Sequence, residues 1–116
     1  MNPYELRVNN LIHFTKENVD SEIGHHNLGI LLSFPSSNDY EPIPLSEEWL
    51  IRFGFLLEDF NWYKNDSDDS FYISFESDYG FYVGATTYGY LKAILYVHQL
   101  QNLYFALTGK ELTIEK

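Results

Sequence analysis

Cysteine is absent from this 116-residue chain, methionine occurs once, and seven Lys and Arg face seventeen Asp and Glu, a formal net charge of −10. Without cysteine there is no disulfide framework, no thiol nucleophile and no Cys-based zinc site, which suits a reducing compartment. The shortage of bases argues against unaided binding to nucleic acid or to an anionic membrane, since either encounter begins with charge repulsion. A partner with a basic surface is the natural counterpart. Apolar runs are all far shorter than the roughly 18–20 residues that span a bilayer, and the opening Met-Asn-Pro-Tyr-Glu-Leu-Arg has no signal-peptide core. The expected location is therefore the cytoplasm.

What is abundant is aromatic: ten Tyr, nine Phe and two Trp within a 45 % apolar composition. A chain so composed can bury enough surface to offset its ordering entropy, and its length predicts one domain over residues 1–116. Leu6, Val8, Ile12 and Phe14 among polar neighbours read as an opening strand over Glu5–Phe14, broken at Asn9-Asn10. Lys16 to His26 reads as a polar loop, and Leu28–Phe34, bounded by Asn27 and Pro35, as a buried strand. Pro42 and Pro44 mark an extended connection.

Helix punctuation follows. Ser46 is a suitable N-cap, Glu47 and Glu48 place negative charge in the first turn, Leu45 can staple onto Leu50, and Gly54 supplies a left-handed stop. Phe60–Lys64, Phe71–Glu76, Phe81–Thr87 and Tyr90–Val97 then read as strands joined by short polar turns, with Phe71, Ile73 and Phe75 alternating against Tyr72, Ser74 and Glu76. From Val97 the period changes: Val97, Leu100, Leu103, Tyr104 and Leu107 recur at helical spacing until Gly109, and Leu112 and Ile114 suggest a last extended piece. The sum is an α+β domain of order ββαββββα, a mainly antiparallel sheet carrying a short mid-chain helix and a C-terminal amphipathic helix.

Motifs for chemistry are sparse. His25-His26 beside Glu22 lacks the i,i+4 or His-x-His spacing of a metal site. Asp66-Ser67-Asp68-Asp69 begins like a calcium loop, but Phe71 stands where the sharp turn needs Gly and Ser77 where a bidentate Glu is needed. Glu76 and Asp78 could form a carboxylate pair, yet they sit where a strand runs into a turn, and no serine lies in Gly-x-Ser-x-Gly. No cofactor, metal or catalytic residue is expected. The densest feature is acidic: Glu58, Asp59, Asp66, Asp68, Asp69, Glu76 and Asp78 against the single base Lys64, interleaved with Trp62, Tyr63, Tyr72, Tyr79 and Tyr82. Carboxylates among tyrosines suit a partner surface rich in Arg and Lys. Glu58, Asp59, Trp62, Asp66, Asp68, Asp69, Tyr72, Glu76, Asp78, Tyr79 and Tyr82 are accordingly the expected partner-binding residues.

Two stretches carry a resemblance. Pro42-Ile43-Pro44-Leu45-Ser46-Glu47-Glu48-Trp49-Leu50 with Phe53-Gly54-Phe55, and Tyr96 through Gly109 with Glu111-Leu112, resemble a family of small uncharacterised phage and prophage proteins of Bacteroidetes-type bacteria. The opening Glu5-Leu6-Arg7-Val8-Asn9-Asn10 is similar to the family's start, where Gly usually occupies the position of Asn9 or Asn10. The resemblance implies a mobile-element setting and the cytoplasm of a bacterial host, and transfers no catalytic residue. With the acidic segment it leads to the expectation of a non-enzymatic inhibitor of a host defence system, an anti-CRISPR protein that binds an effector nuclease. The alternatives are a phage structural or regulatory accessory protein acting through self-association or another phage protein, and a small hydrolase or metal-dependent enzyme using Glu76, Asp78 or the histidines.

Overall fold

A computed structural model describes residues 5–34, 39–58, 61–64, 71–76, 80–85 and 89–114, with residues 71, 76, 82–85 and 89–92 as backbone alone. Among the described residues two antiparallel sheets and three helices make up an α+β fold.

Near the start, the expected break at Asn9-Asn10 is a turn. Asn9 sits at φ 78°, the Arg7 amide donates to Asn10 Oδ1 at 2.7 Å, and the strand proper, β1, begins only at Leu11 and ends at Phe14. A positive φ is open to Gly without penalty and to Asn at some cost. Replacing Asn9 by Gly should therefore stabilise the fold by about 0.5 kcal/mol, measured by urea denaturation. A loss of stability would show that the Asn9 side chain is needed.

The predicted loop over Lys16 to His26 is in fact structured. Val19–Glu22 forms β2, paired with β1 through Leu11↔Glu22 and Phe14↔Val19, and Asn18 at φ 53° makes the turn tight. All four β2 residues are exposed, so the strand exists by hairpin pairing alone and leaves no apolar period to read. The predicted strand Leu28–Phe34 is corrected as well: His25–Ser33 is helix α1, with Gly24 as its N-cap. Leu28 and Leu31, one turn apart, face a small core of Leu6, Ile12 and Ile23, while Ile30, Leu32 and Phe34 are exposed. A run apolar on all sides hides which side packs. A two-residue strand, β3 (Tyr40–Glu41), completes the sheet in the order β2-β1-β3.

The mid-chain helix α2 spans Glu47–Arg52. Ser46 Oγ accepts from the Trp49 amide at 3.5 Å, Glu47 and Glu48 occupy the first turn, and Gly54 leaves at φ 90°. Leu45 and Leu50 share the main core, as the staple requires. Beyond Gly54 comes an unexpected strand, β4 (Phe55–Glu58), in which only Phe55 is buried. It leads a five-stranded meander with β5 (Asn61–Lys64), β6 (Phe71–Glu76), β7 (Gly80–Ala85) and β8 (Gly89–Ile94), in chain order. The register shifts at Val83/Gly84, so that Leu91 is the extra residue of a bulge in β8.

Helix α3 covers Val97–Thr108 and ends on Gly109 at φ 74°. Its stripe of Val97, Leu100 and Tyr104 joins Trp49, Leu50, Phe53, Phe55, Trp62, Ile73, Phe81 and Ile94 in the main core. Leu11 belongs to that core and Ile12 to the small one. Alternation along β1 thus sets one strand between two cores. After α3 no further strand forms among the described residues; Leu112 is buried without pairing and Ile114 is exposed. Among the described residues no helix is long and apolar enough to cross a membrane.

Candidate functional site

The register arranges what is described of the acidic, tyrosine-rich surface. On one face of the meander Glu58, Asn61, Ser74, Tyr82 and Ala93 occupy successive positions across five strands, and Leu56, Tyr63, Tyr72 and Gly84 form the neighbouring row. Glu58 is exposed at the end of β4, and the Tyr63 and Tyr72 rings, both half-buried, lie tilted 5.9 Å apart. Ser74 donates to Asn61 Oδ1 within that face. Glu76 takes its place opposite Gly80 and Tyr82 opposite Ser74, from the backbone. Asp59, Asp66, Asp68, Asp69, Asp78 and Tyr79 lie outside the described residues.

Trp62 departs from expectation. It is 5 % exposed and sits in the main core, because it stands one residue out of phase with the face that carries Tyr63 and Asn61. It holds the sheet to α2 and α3 and offers nothing to a partner. Lys64 is also turned inward: its Nζ donates at 2.8 Å to the carbonyl of Phe53, the C-cap of α2, where a cation complements the helix dipole. The one base of the segment is thus withdrawn from the surface.

A second constellation lies away from the meander. Arg7 Nε donates to Asn102 Oδ1 at 2.7 Å, Asn10 Nδ2 donates to the same oxygen at 2.8 Å, and Asn102 Nδ2 donates to the Glu5 carbonyl at 2.7 Å. Arg7 also pairs with Glu111 at 2.7 Å and covers the Phe105 ring at 4.5 Å. Deeper in, Gln101 Oε1 accepts from the Leu11 amide at 2.7 Å, while its Nε2 reaches the carbonyls of Asn9 and Leu112 at 3.4 Å each. His98 is buried, stacked on Tyr96 at 5.8 Å and 7°, with Nε2 at 3.3 Å from Glu5 Oε2. Burial lowers the His98 pKa below its ordinary value, opposed by the hydrogen bond to Glu5. The imidazole is accordingly neutral at pH 7, with Nε2–H donating to Glu5. Residues more than ninety positions apart build this cluster, so no local motif announces it.

These are also the segments that carry the resemblance noted in the sequence. Val97 N donates to Ile43 O at 2.8 Å and Leu45 N to Leu95 O at 3.0 Å, which ties Pro42–Leu45 to the entry of α3, while Glu5–Asn10 is bonded to Gln101, Asn102 and Glu111. The three stretches form one contiguous scaffold.

His25 and His26 are exposed in the first turn of α1, and no group of three or more His, Asp or Glu gathers among the described residues. His13 pairs with Asp20 across β1 and β2 at 2.8 Å, a half-exposed surface contact. No family model, curated protein or solved structure matches the chain.

Proposed function

We propose that the chain is a phage-derived, non-enzymatic binding protein that acts in the cytoplasm of a bacterial host and inhibits an RNA-guided effector nuclease through its acidic, tyrosine-rich sheet face. The observation that supports this reading is the arrangement of the meander: Glu58 and the Tyr63–Tyr72 pair face outward while Lys64, the segment's base, points into the core. Effector nucleases hold nucleic acid in basic channels, and a carboxylate-studded face competes for such a channel or binds its rim. Association of this kind is electrostatically steered, hence fast and salt-sensitive.

The test is a cleavage assay with the effector ribonucleoproteins of the same host, titrated with the purified protein. Inhibition should weaken as salt is raised, and the triple change Asp66→Lys, Asp68→Lys, Asp69→Lys should raise the half-inhibitory concentration at least tenfold, or about 1.4 kcal/mol. Equal inhibition by the triple variant removes the acidic face from the reading, and no inhibition of any effector removes the reading itself.

A self-associating accessory protein is the second reading, favoured by β4. As an edge strand of the meander it exposes Leu56 and Leu57, at 54 % and 58 %, shortly after the exposed Ile51. Of the apolar stripe of α3, Val97, Leu100 and Tyr104 are buried and Leu103 is partly buried, while Leu107 is exposed. Mass growing with concentration in light scattering, and abolished by Leu57→Lys, would favour this alternative.

A further inference from the structure

Between Glu5, the end of β8 and the outer side of α3 lies a half-open cavity of about 300 Å³, lined by Glu5, Ile94, Gln99, Asn102, Leu103 and Ala106. Its walls are mixed. Ile94, Leu103 and Ala106 supply apolar surface, and Glu5 is the formally charged group among the lining residues. The Glu5 side chain is 44 % exposed, and one carboxylate oxygen is held by the buried His98. A neutral His98 orients Glu5 by donation and leaves its negative charge intact. The nearest described cation in this cluster, Arg7, is matched by Glu111 at 2.7 Å and bonded to Asn102. An apolar trough ending in an oriented carboxylate that meets no Lys or Arg among the described residues is complementary to a flexible aliphatic stem ending in a cation.

We propose that this cavity receives an arginine side chain from a partner protein, its methylenes lying on Ile94, Leu103 and Ala106 and its guanidinium meeting the Glu5 carboxylate. The planar guanidinium can engage both carboxylate oxygens, which favours arginine over the more strongly hydrated lysine. That the side chain comes from a protein rests on the basic-partner reading above, while the chemistry of the cavity does not. The site also extends the contact surface away from the meander to the scaffold built by α3 and the first turn.

The experiment uses the full chain, ¹⁵N-labelled, in amide NMR titrations with N-acetyl-arginine N-methylamide and with the matching citrulline compound, which has the same shape without the charge. Saturating shifts confined to the Gln99–Ala106 amides and the turn at Glu5 are expected, with the arginine compound binding at least fivefold more tightly. Glu5→Gln keeps an oxygen to accept from His98 and should bring that ratio close to one. Shifts elsewhere, equal binding of the citrulline compound, or a ratio that survives Glu5→Gln would each overturn the proposal. The two readings separate cleanly: arginine capture without inhibition of any nuclease counts against the proposed function alone, and inhibition undiminished in a chain without arginine capture counts against the cavity alone.

Discussion

Gln101→Leu should lower the stability of the protein by about 2 kcal/mol and Gln101→Ala by about 3 kcal/mol, a fall in melting temperature of roughly 10–15 °C for a domain of this size. Gln101 is a polar side chain, 2 % exposed, among the buried residues of α3, which are otherwise Val97, His98, Leu100 and Tyr104. Its carboxamide is held by what surrounds it. The oxygen takes the Leu11 amide at 2.7 Å, at the point where the chain leaves the Asn9 turn and enters β1, and the nitrogen lies between the carbonyls of Asn9 and Leu112. Leucine restores the volume and none of these bonds, so the buried Leu11 N–H loses its partner and bears the full cost of desolvation. Alanine adds a cavity to that cost. Gln99 makes an informative contrast. Its Oε1 accepts from the Tyr96 and Leu95 amides at the helix start, at 3.2 and 2.9 Å, where water can substitute, and Gln99→Ala should cost about 1 kcal/mol or less. Urea denaturation of the three variants checks the order. A Gln101→Leu protein within about 0.5 kcal/mol of the parent would mean that the Leu11 amide is satisfied without Gln101.

The same contrast explains what can be read from the residues and what cannot. Helix α3 and strand β6 have the boundaries that their periods indicate, and α2 starts and stops on Ser46 and Gly54 as capping chemistry requires. Each of these signals acts within one or two turns of chain. Strand β2 and helix α1 defeat local reading for the opposite reason. Val19-Asp20-Ser21-Glu22 is a strand because β1 pairs with it, and Leu28–Phe34 is largely helical because Leu28 and Leu31 have a small core to fill, while Phe34 stays 67 % exposed. Strand β4 gives no period either, since Leu56 and Leu57 are both exposed on successive faces of an edge. Tertiary partners decide such segments, and they are silent in local pattern.

For the candidate sites the division is similar. Acidity from Glu58 onward is a composition signal and is legible, but phase within the strand is needed to see that Trp62 and Lys64 turn inward. Lys64 is instructive, because a base counted against the acidic charge serves as a helix cap, and a buried cation bonded to a carbonyl contributes little to an outer surface. The Glu5, Arg7, Gln101 and Asn102 network depends on contacts spanning about the whole chain, which no local pattern announces.

Acidification should destabilise the fold through His98, and His98→Gln should remove that part of the response. His98 is 1 % exposed, and its Nδ1 has no hydrogen-bond partner among the described residues. Burial favours the neutral ring and outweighs the opposing pull of Glu5, so the folded pKa lies below the value of 6.5 that the unfolded chain retains. For a basic group depressed in this way the sign is fixed. Above pH 6.5 both states hold a neutral imidazole and stability is at its full value; as pH falls below that point the unfolded state takes up a proton that the folded state refuses, and stability declines until the folded pKa is reached. One proton sets the ceiling on that slope at about 1.4 kcal/mol per pH unit. Lowering the pH also lessens the net charge of −10 and its self-repulsion, a chain-wide effect of opposite sign. The raw pH profile therefore mixes two trends, and the difference between parent and variant isolates one. The carboxamide of the His98→Gln variant can still donate to Glu5 Oε2, the bond His98 makes at 3.3 Å, without titrating. Denaturation midpoints taken at roughly pH 7.5, 6.5 and 5.5 should converge, the variant losing less stability than the parent over the lower interval. Parallel profiles would show that His98 is protonated in the folded protein as readily as in the unfolded chain, and would move the neutral, Glu5-orienting ring out of the scaffold described above.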